Sequence, residues 1–262
     1  TLTGSVRGDL VLLEPLLGIG ELAISDHRSS QPTFDEILRL AADAHVSGLM
    51  TGKAGVLHLH LGDGPRGLDL VRRALNESEI PARVFNPTHV NRRKALFDEA
   101  VTLAAKGCYI DLTAFPVEDG EDAWSAAEGL QRYLASGAPA DRVTISSDAG
   151  GCLPCFDAEG RVSSMNVGHS GALLETLRAL ADGGMPLETA LPAFTANPAR
   201  LLRLARKGRV EAGADADLVA LDATGAAQTV IIGGHIHVRD GQAVRRGTFE
   251  NRQEQHVAEY RP

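Results

Sequence analysis
The chain has 262 residues, 44% of them hydrophobic and 23% charged, which is globular material with room for one α/β barrel, or for part of one plus a small second domain. A formal net charge of -8 argues against nucleic acid as a partner, since phosphate binding needs a Lys/Arg surplus on one face. The three cysteines, Cys108, Cys152 and Cys155, make no disulfide framework, no apolar run reaches the roughly 20 residues of a membrane-spanning helix, and the start at Thr1 lacks a signal peptide's basic opening; a cytoplasmic enzyme with no membrane partner is the expectation.

In chain order, short β runs alternate with helical stretches. Strands are expected at Leu22–Ser25, Gly55–His60, Arg83–Asn86, Cys108–Thr113 and Val143–Ser147. Thr33 with Glu36 forms a capping-box pattern that opens a helix through about Ala44, where Ile37, Leu38, Leu40 and Ala41 are spaced for one buried face. Gly67–Asn76, Arg92–Lys106 and Asp122–Ala135 follow the same 3.6-residue period. Such alternation implies parallel βαβ units, in an open sheet or in part of a (β/α)8 barrel. No G-x-G-x-x-G or Walker loop follows any strand, which lowers the case for a nucleotide. After residue 208 the composition changes, and short β runs around Gly233-Gly234 and Asp240-Gly241 predict an appended β unit. The expected domains are a barrel over 1–207, a small β-sandwich portion over 208–250 and a polar tail over 251–262.

Polar residues recur at the ends of these strands. Glu21 opens the first, His60 ends the second, His89 follows the third and Asp148 ends the last. Any one of them has an ordinary explanation: a strand histidine is more often a hydrogen-bonded core residue, and an aspartate before Ala-Gly-Gly can simply cap a turn. Four in a row at one end of consecutive strands is harder to dismiss, because in barrels that end carries the active site. Imidazoles with carboxylates make a zinc-type donor set. His58 and His60 form an H-x-H pair on one side of a strand and could be a metal motif by themselves. His27, His169, His235 and His237 read as ordinary surface or strand residues. Arg28 and Arg92 each follow a candidate ligand and offer planar forks suited to carboxylates. Cys152 and Cys155 form a single C-x-x-C, weak support for redox or metal use.

These residues resemble the isoaspartyl (β-aspartyl) dipeptidases of the amidohydrolase superfamily. The stretches that carry the likeness are Thr3–Ser5, Ala23–Ser29, His60–Asp63, Pro87–Arg92, Ser146–Asp148 and Gly247–Glu250. P-T-H-V-N-R and S-D-H-R-S are its more specific parts, whereas Gly213–Val219 is a general superfamily mark. The resemblance implies a (β/α)8 TIM barrel with a β-sandwich, and hydrolysis of isopeptide bonds by a hydroxide bridging two zinc ions. It implies His60 and His89 as ligands of one zinc, Asp148 as a ligand of the other and as the acid/base residue, and Arg28 and Arg92 as grips for the carboxylates of a small dipeptide. It also implies a homo-oligomer.

Three departures accompany it. The family's first-strand H-x-H, the upstream half of the sandwich and a substrate-contacting tyrosine loop are expected before Thr1, the chain matching the C-terminal two-thirds. The bridging carboxylated lysine of the best-known members is here Glu21, whose own carboxylate can bridge metals. A substrate-holding serine is here Cys152. A cyclic-amide hydrolase of dihydroorotase or hydantoinase type, and a non-catalytic binding protein that kept the fold, are the alternatives.

Overall fold
A computed structural model of the chain describes residues 1–156 and 161–247, with 153–156 described by backbone alone. It divides into two compact units, Thr1–Gly208 and a second that begins at Arg209.

The first unit runs α1 (Val6–Leu12), β1 (Ile19–Ser25), α2 (Phe34–Thr51), β2 (Leu57–Leu61), α3 (Asp69–Glu77), β3 (Phe85–Thr88), α4 (Lys94–Ala105), β4 (Ile110–Thr113), α5 (Ala126–Ala135), β5 (Val143–Ser146), β6 (Cys152–Phe156), β7 (Val162–Val167), α6 (Ala172–Asp182), α7 (Leu187–Ala190) and α8 (Ala196–Leu201). β1, β2 and β3 pair in parallel in that order, and β4 pairs in parallel with β5. The Tyr109 amide just before β4 donates to the Phe85 carbonyl of β3 at 3.2 Å. Chain order and sheet order therefore coincide, as successive βα units require. Among the described residues no helix is long and apolar enough to cross a membrane.

The alternation of β2 explains how the sheet is covered and how the site is presented. Leu57, Leu59 and Leu61 are fully buried on one face, while His58 and His60 share the other. The leucines join one continuous core with Ile37 and Ala41 of α2, Val71 of α3, Phe97 and Leu103 of α4, and Leu130 and Tyr133 of α5. Each such leucine contributes about 1.5–3 kcal/mol by leaving water, so the helices hold the leucine face and leave the histidine face for chemistry.

The capping box of α2 forms as the sequence predicts: the Glu36 amide donates to Thr33 Oγ1 at 3.3 Å and the Thr33 amide donates to Glu36 Oε2 at 2.7 Å. The helix continues past Ala44 to Thr51 and stops at Gly52, whose φ of 78° suits the residue without a side chain. Thr33→Ala should lower stability by about 1 kcal/mol; urea unfolding of the two proteins measures the difference.

Other boundaries move for identifiable reasons. Ser125 and Glu128 form a second capping box, so α5 starts at Ala126 and not near Asp122. A 3-10 turn at Ala82–Val84 delays β3 to Phe85–Thr88, which brings its end directly against His89. Periodicity does not mark α1, the antiparallel β6–β7 hairpin or the short helices between 172 and 201. In the second unit β8 (Leu218–Leu221), β9 (Ala227–Ile232), β10 (His235–Arg239) and β11 (Gln242–Ala243) form one antiparallel sheet, ordered β11-β10-β9-β8. The expected tail over 251–262, and the residues after Gly247 in the Gly247–Glu250 stretch, lie outside the described residues.

Candidate metal and substrate site
The C-terminal ends of β1 to β5 open on one cleft of about 760 Å³. Each strand delivers polar groups to it: Asp26, His27 and Arg28 after β1, His60 and Asp63 from β2 and its loop, Arg92 after β3, Thr113 from β4 and Asp148 after β5. The sequence places Glu21 at the opening of its strand. The strand in fact begins two residues earlier, so Glu21 lies inside β1, where the register with β2 slips between Ile19 and Leu22. Its side chain nevertheless lines the cleft.

Glu21, His60 and His89 converge, with ligand atoms all within 4.8 Å of one another. One oxygen, Glu21 Oε1, faces His60 Nδ1 at 3.2 Å and His89 Nε2 at 3.0 Å. The two rings meet edge to face at 4.6 Å. Hydrogen bonds from both histidines hold the Glu21 carboxyl well below the usual carboxylate range, against the opposing effect of its burial.

The far nitrogens of the two rings are also held. His60 Nε2 lies 3.2 Å from Asp26 Oδ2, and His89 Nδ1 lies 2.7 Å from the Thr113 hydroxyl. With a metal held between them, His60 would donate from Nε2 to Asp26 and turn its Nδ1 lone pair to the metal in place of the hydrogen bond to Glu21. This is the arrangement in which outer partners fix the tautomer of metal-binding histidines. Two imidazoles and an ionised carboxylate, aimed at one point with their outer nitrogens tied, fit a divalent metal of the zinc type.

His89 is positioned by its backbone. It is buried, takes a left-handed φ of 60° and starts the turn Val90–Arg92. Asn91 anchors that turn: its amide Nδ2 donates to the carbonyls of Thr113 and Trp124 at 3.0 and 2.8 Å, and its Oδ1 accepts from the Thr113 amide at 2.8 Å. Asp148 is likewise left-handed, with φ of 47°. Such conformations cost of order 1–3 kcal/mol for residues other than glycine and cluster at functional sites. Asp148 lines the cleft but stands outside the convergent set of Glu21, His60 and His89.

The two arginines differ. Arg28 is committed to Asp26, with Nε on Oδ1 at 3.0 Å and Nη2 on Oδ2 at 2.6 Å, and its backbone amide also donates to Oδ1 at 2.7 Å. That pairing holds the buried Asp26 carboxyl well below the usual range. Arg92 lies 4.0 Å from Asp63 Oδ1, a looser partner at the cleft rim. Cys152 is exposed and lines the same cleft, as does His27. The Cys155 side chain is outside the described ones. His58 is held by Asn86 Nδ2 at 2.8 Å, and His169 lies 3.7 Å from Glu175 on the surface.

Sequence reasoning did not single out Asp26, Thr113 or Asp111. Asp111 is a buried carboxylate that accepts hydrogen bonds from Thr88, Thr144 and Ser146 at 2.6–2.7 Å and ties β3, β4 and β5 together beneath the site. A charged residue inside a short apolar strand run was the available signal for it, and a carboxylate two residues before Arg28 the signal for Asp26.

The model of the amidohydrolase family matches residues 54–237. The chain belongs to that family. Among solved structures it resembles the β-aspartyl dipeptidase of the keratin-degrading thermophile Fervidobacterium islandicum, crystallised with the β-Asp-Leu dipeptide, at 38% identity and a TM-score of 0.87 over 95% of this chain and 64% of that one. A second crystal structure of a β-aspartyl dipeptidase from that organism gives 36% identity and a TM-score of 0.83, over 95% of this chain and 63% of the other. A deacetylase of Agrobacterium fabrum, Atu3266, is 26% identical over 212 residues, which are 72% of this chain and 48% of the deacetylase. The chain thus spans under two thirds of these dipeptidases and about half of the deacetylase.

Proposed function
We propose that this member of the amidohydrolase family is a zinc-dependent hydrolase of the isopeptide bond in β-aspartyl dipeptides, and that its five parallel strands belong to a (β/α)8 barrel. One observation carries the reading: a single cleft brings Glu21 and His60, which converge with the buried His89, together with Asp148 and two arginines suited to carboxylates. The likeness to a dipeptidase crystallised with β-Asp-Leu supports the choice of substrate.

Glu21, His60, His89 and Asp148 would hold the metal, taken as zinc. When bound, the metal supplies Lewis acidity, lowering the pKa of water and polarising the scissile carbonyl. The protein's own groups do the rest. Arg92 and Arg28 hold the substrate carboxylates and so fix the dipeptide in attack geometry. Asp148 accepts the proton of the attacking water and hands it to the leaving amine nitrogen as the C–N bond breaks. Cys152 contacts the substrate from the start of β6.

The test is metal analysis of the purified protein together with hydrolysis of β-Asp-Leu, followed by release of leucine. Zinc retention with leucine release supports the reading. A metal-free protein that leaves β-Asp-Leu intact after incubation with zinc refutes it. Opening of dihydroorotate or a hydantoin in place of the dipeptide would assign the site to cyclic amides.

A further inference from the structure
Asp26 occupies a position that the proposed reaction does not itself use. It is the buried link between two parts of the site. Its Oδ2 receives Arg28 Nη2 at 2.6 Å and lies 3.2 Å from His60 Nε2, while its Oδ1 receives Arg28 Nε and the Arg28 amide. The Asp26 side chain is 3% exposed, that of His60 20% and that of Arg28 47%. The arginine thus reaches the cleft while the carboxylate behind it stays out of water, where charge interactions are little screened.

We infer that Asp26 is a positioning residue that couples the substrate grip to the metal ligands, so that a carboxylate bound at Arg28 tightens metal binding through His60. The inference rests on the function proposed above. Oδ2 is shared between the Arg28 guanidinium and the His60 N–H. An incoming carboxylate that takes up part of the Arg28 charge leaves Oδ2 a stronger acceptor for His60. A more strongly accepting partner at Nε2 makes Nδ1, on the other side of the ring, a better donor to a metal. Linkage makes the effect reciprocal: a bound metal must tighten the carboxylate by the same factor.

The experiment is a zinc titration against a chromophoric chelator, with and without saturating L-aspartate as the carboxylate probe, on the intact chain. For the wild type, L-aspartate should tighten zinc by about fivefold or more. Asp26→Asn keeps the shape and removes the charge; its zinc affinity should fall by about 10–100-fold, and L-aspartate should no longer change it. Arg28→Gln leaves Asp26 Oδ2 to His60 alone, so zinc affinity should rise by about the fivefold or more that L-aspartate gives the wild type, and L-aspartate should change it no further. This second variant decides the matter should thermal melting show that Asp26→Asn does not fold. Wild-type zinc affinity in a folded Asp26→Asn, or a full L-aspartate effect in Arg28→Gln, overturns the inference and leaves the proposed function standing. A wild type that binds no zinc overturns both.

Discussion
Glu21→Ala should abolish tight metal binding and lower kcat/KM for β-Asp-Leu by about a thousandfold or more. The reason is geometric. His60 Nδ1 and His89 Nε2 both face one oxygen of Glu21, at 3.2 and 3.0 Å. Without that oxygen two imidazoles face each other with no anion between them, and two neutral donors alone do not complete a zinc site. The Lewis acidity lost with the metal is worth several kcal/mol in the transition state, and each 1.36 kcal/mol is a factor of ten in rate. Glu21→Gln separates charge from shape: it keeps an oxygen at the same reach but cannot supply the negative charge, and should fall close to the alanine variant. Metal content by elemental analysis and leucine release under saturating zinc measure the two effects independently. Tight metal binding and retained hydrolysis in Glu21→Ala would falsify the ligand role. The fold should survive either change, because Glu21 is partly exposed and the core of the unit lies on the opposite, leucine face of β2.

How much of this was legible in the sequence depends on how local each feature is. The capping box at Thr33 and Glu36 and the alternation of β2 are local, and they appear in the structure as the residues predict. The strand ends could be read too, since parallel βα units force every strand's C-terminal end to one side, and that is where His60, His89 and Asp148 stand. What could not be read is pairing across strands. Asp26 on His60 spans 34 residues, and Asp111 on Thr88 spans 23. Nothing in either neighbourhood states the partner; only the sheet register brings them together. The unequal state of the two arginines was hidden for the same reason. Arg28 and Arg92 look alike as loop-start arginines, but Arg28 sits two residues from a buried carboxylate that captures one edge of its fork. The displaced start of β3 has a different origin. Pro81 and the turn that follows it take up residues whose apolar character alone reads as strand.

That inequality makes Arg92 the position where substrate binding should be most sensitive. Arg28 already spends its Nε and Nη2 donors on Asp26, so what remains for a ligand is the other side of its guanidinium. Arg92 lies beside Asp63 at 4.0 Å, too long for a hydrogen bond, and keeps its planar fork for a carboxylate. Hydrogen bonds to charged groups contribute about 1.5–3 kcal/mol, so losing a bidentate contact should cost roughly 100-fold in kcat/KM. Arg92→Ala is therefore expected to raise KM for β-Asp-Leu strongly, with metal content unchanged because no metal-donor atom is removed. Arg92→Lys should recover only part of the loss, since an ammonium supplies the charge without the fork. Arg28→Ala should behave differently: a smaller rise in KM, together with a change in zinc affinity, because Asp26 loses its partner. Steady-state kinetics with parallel metal analysis distinguish the two patterns. A normal KM in Arg92→Ala would remove the dicarboxylate reading of the cleft and return the amide-hydrolase site to a substrate of other chemistry.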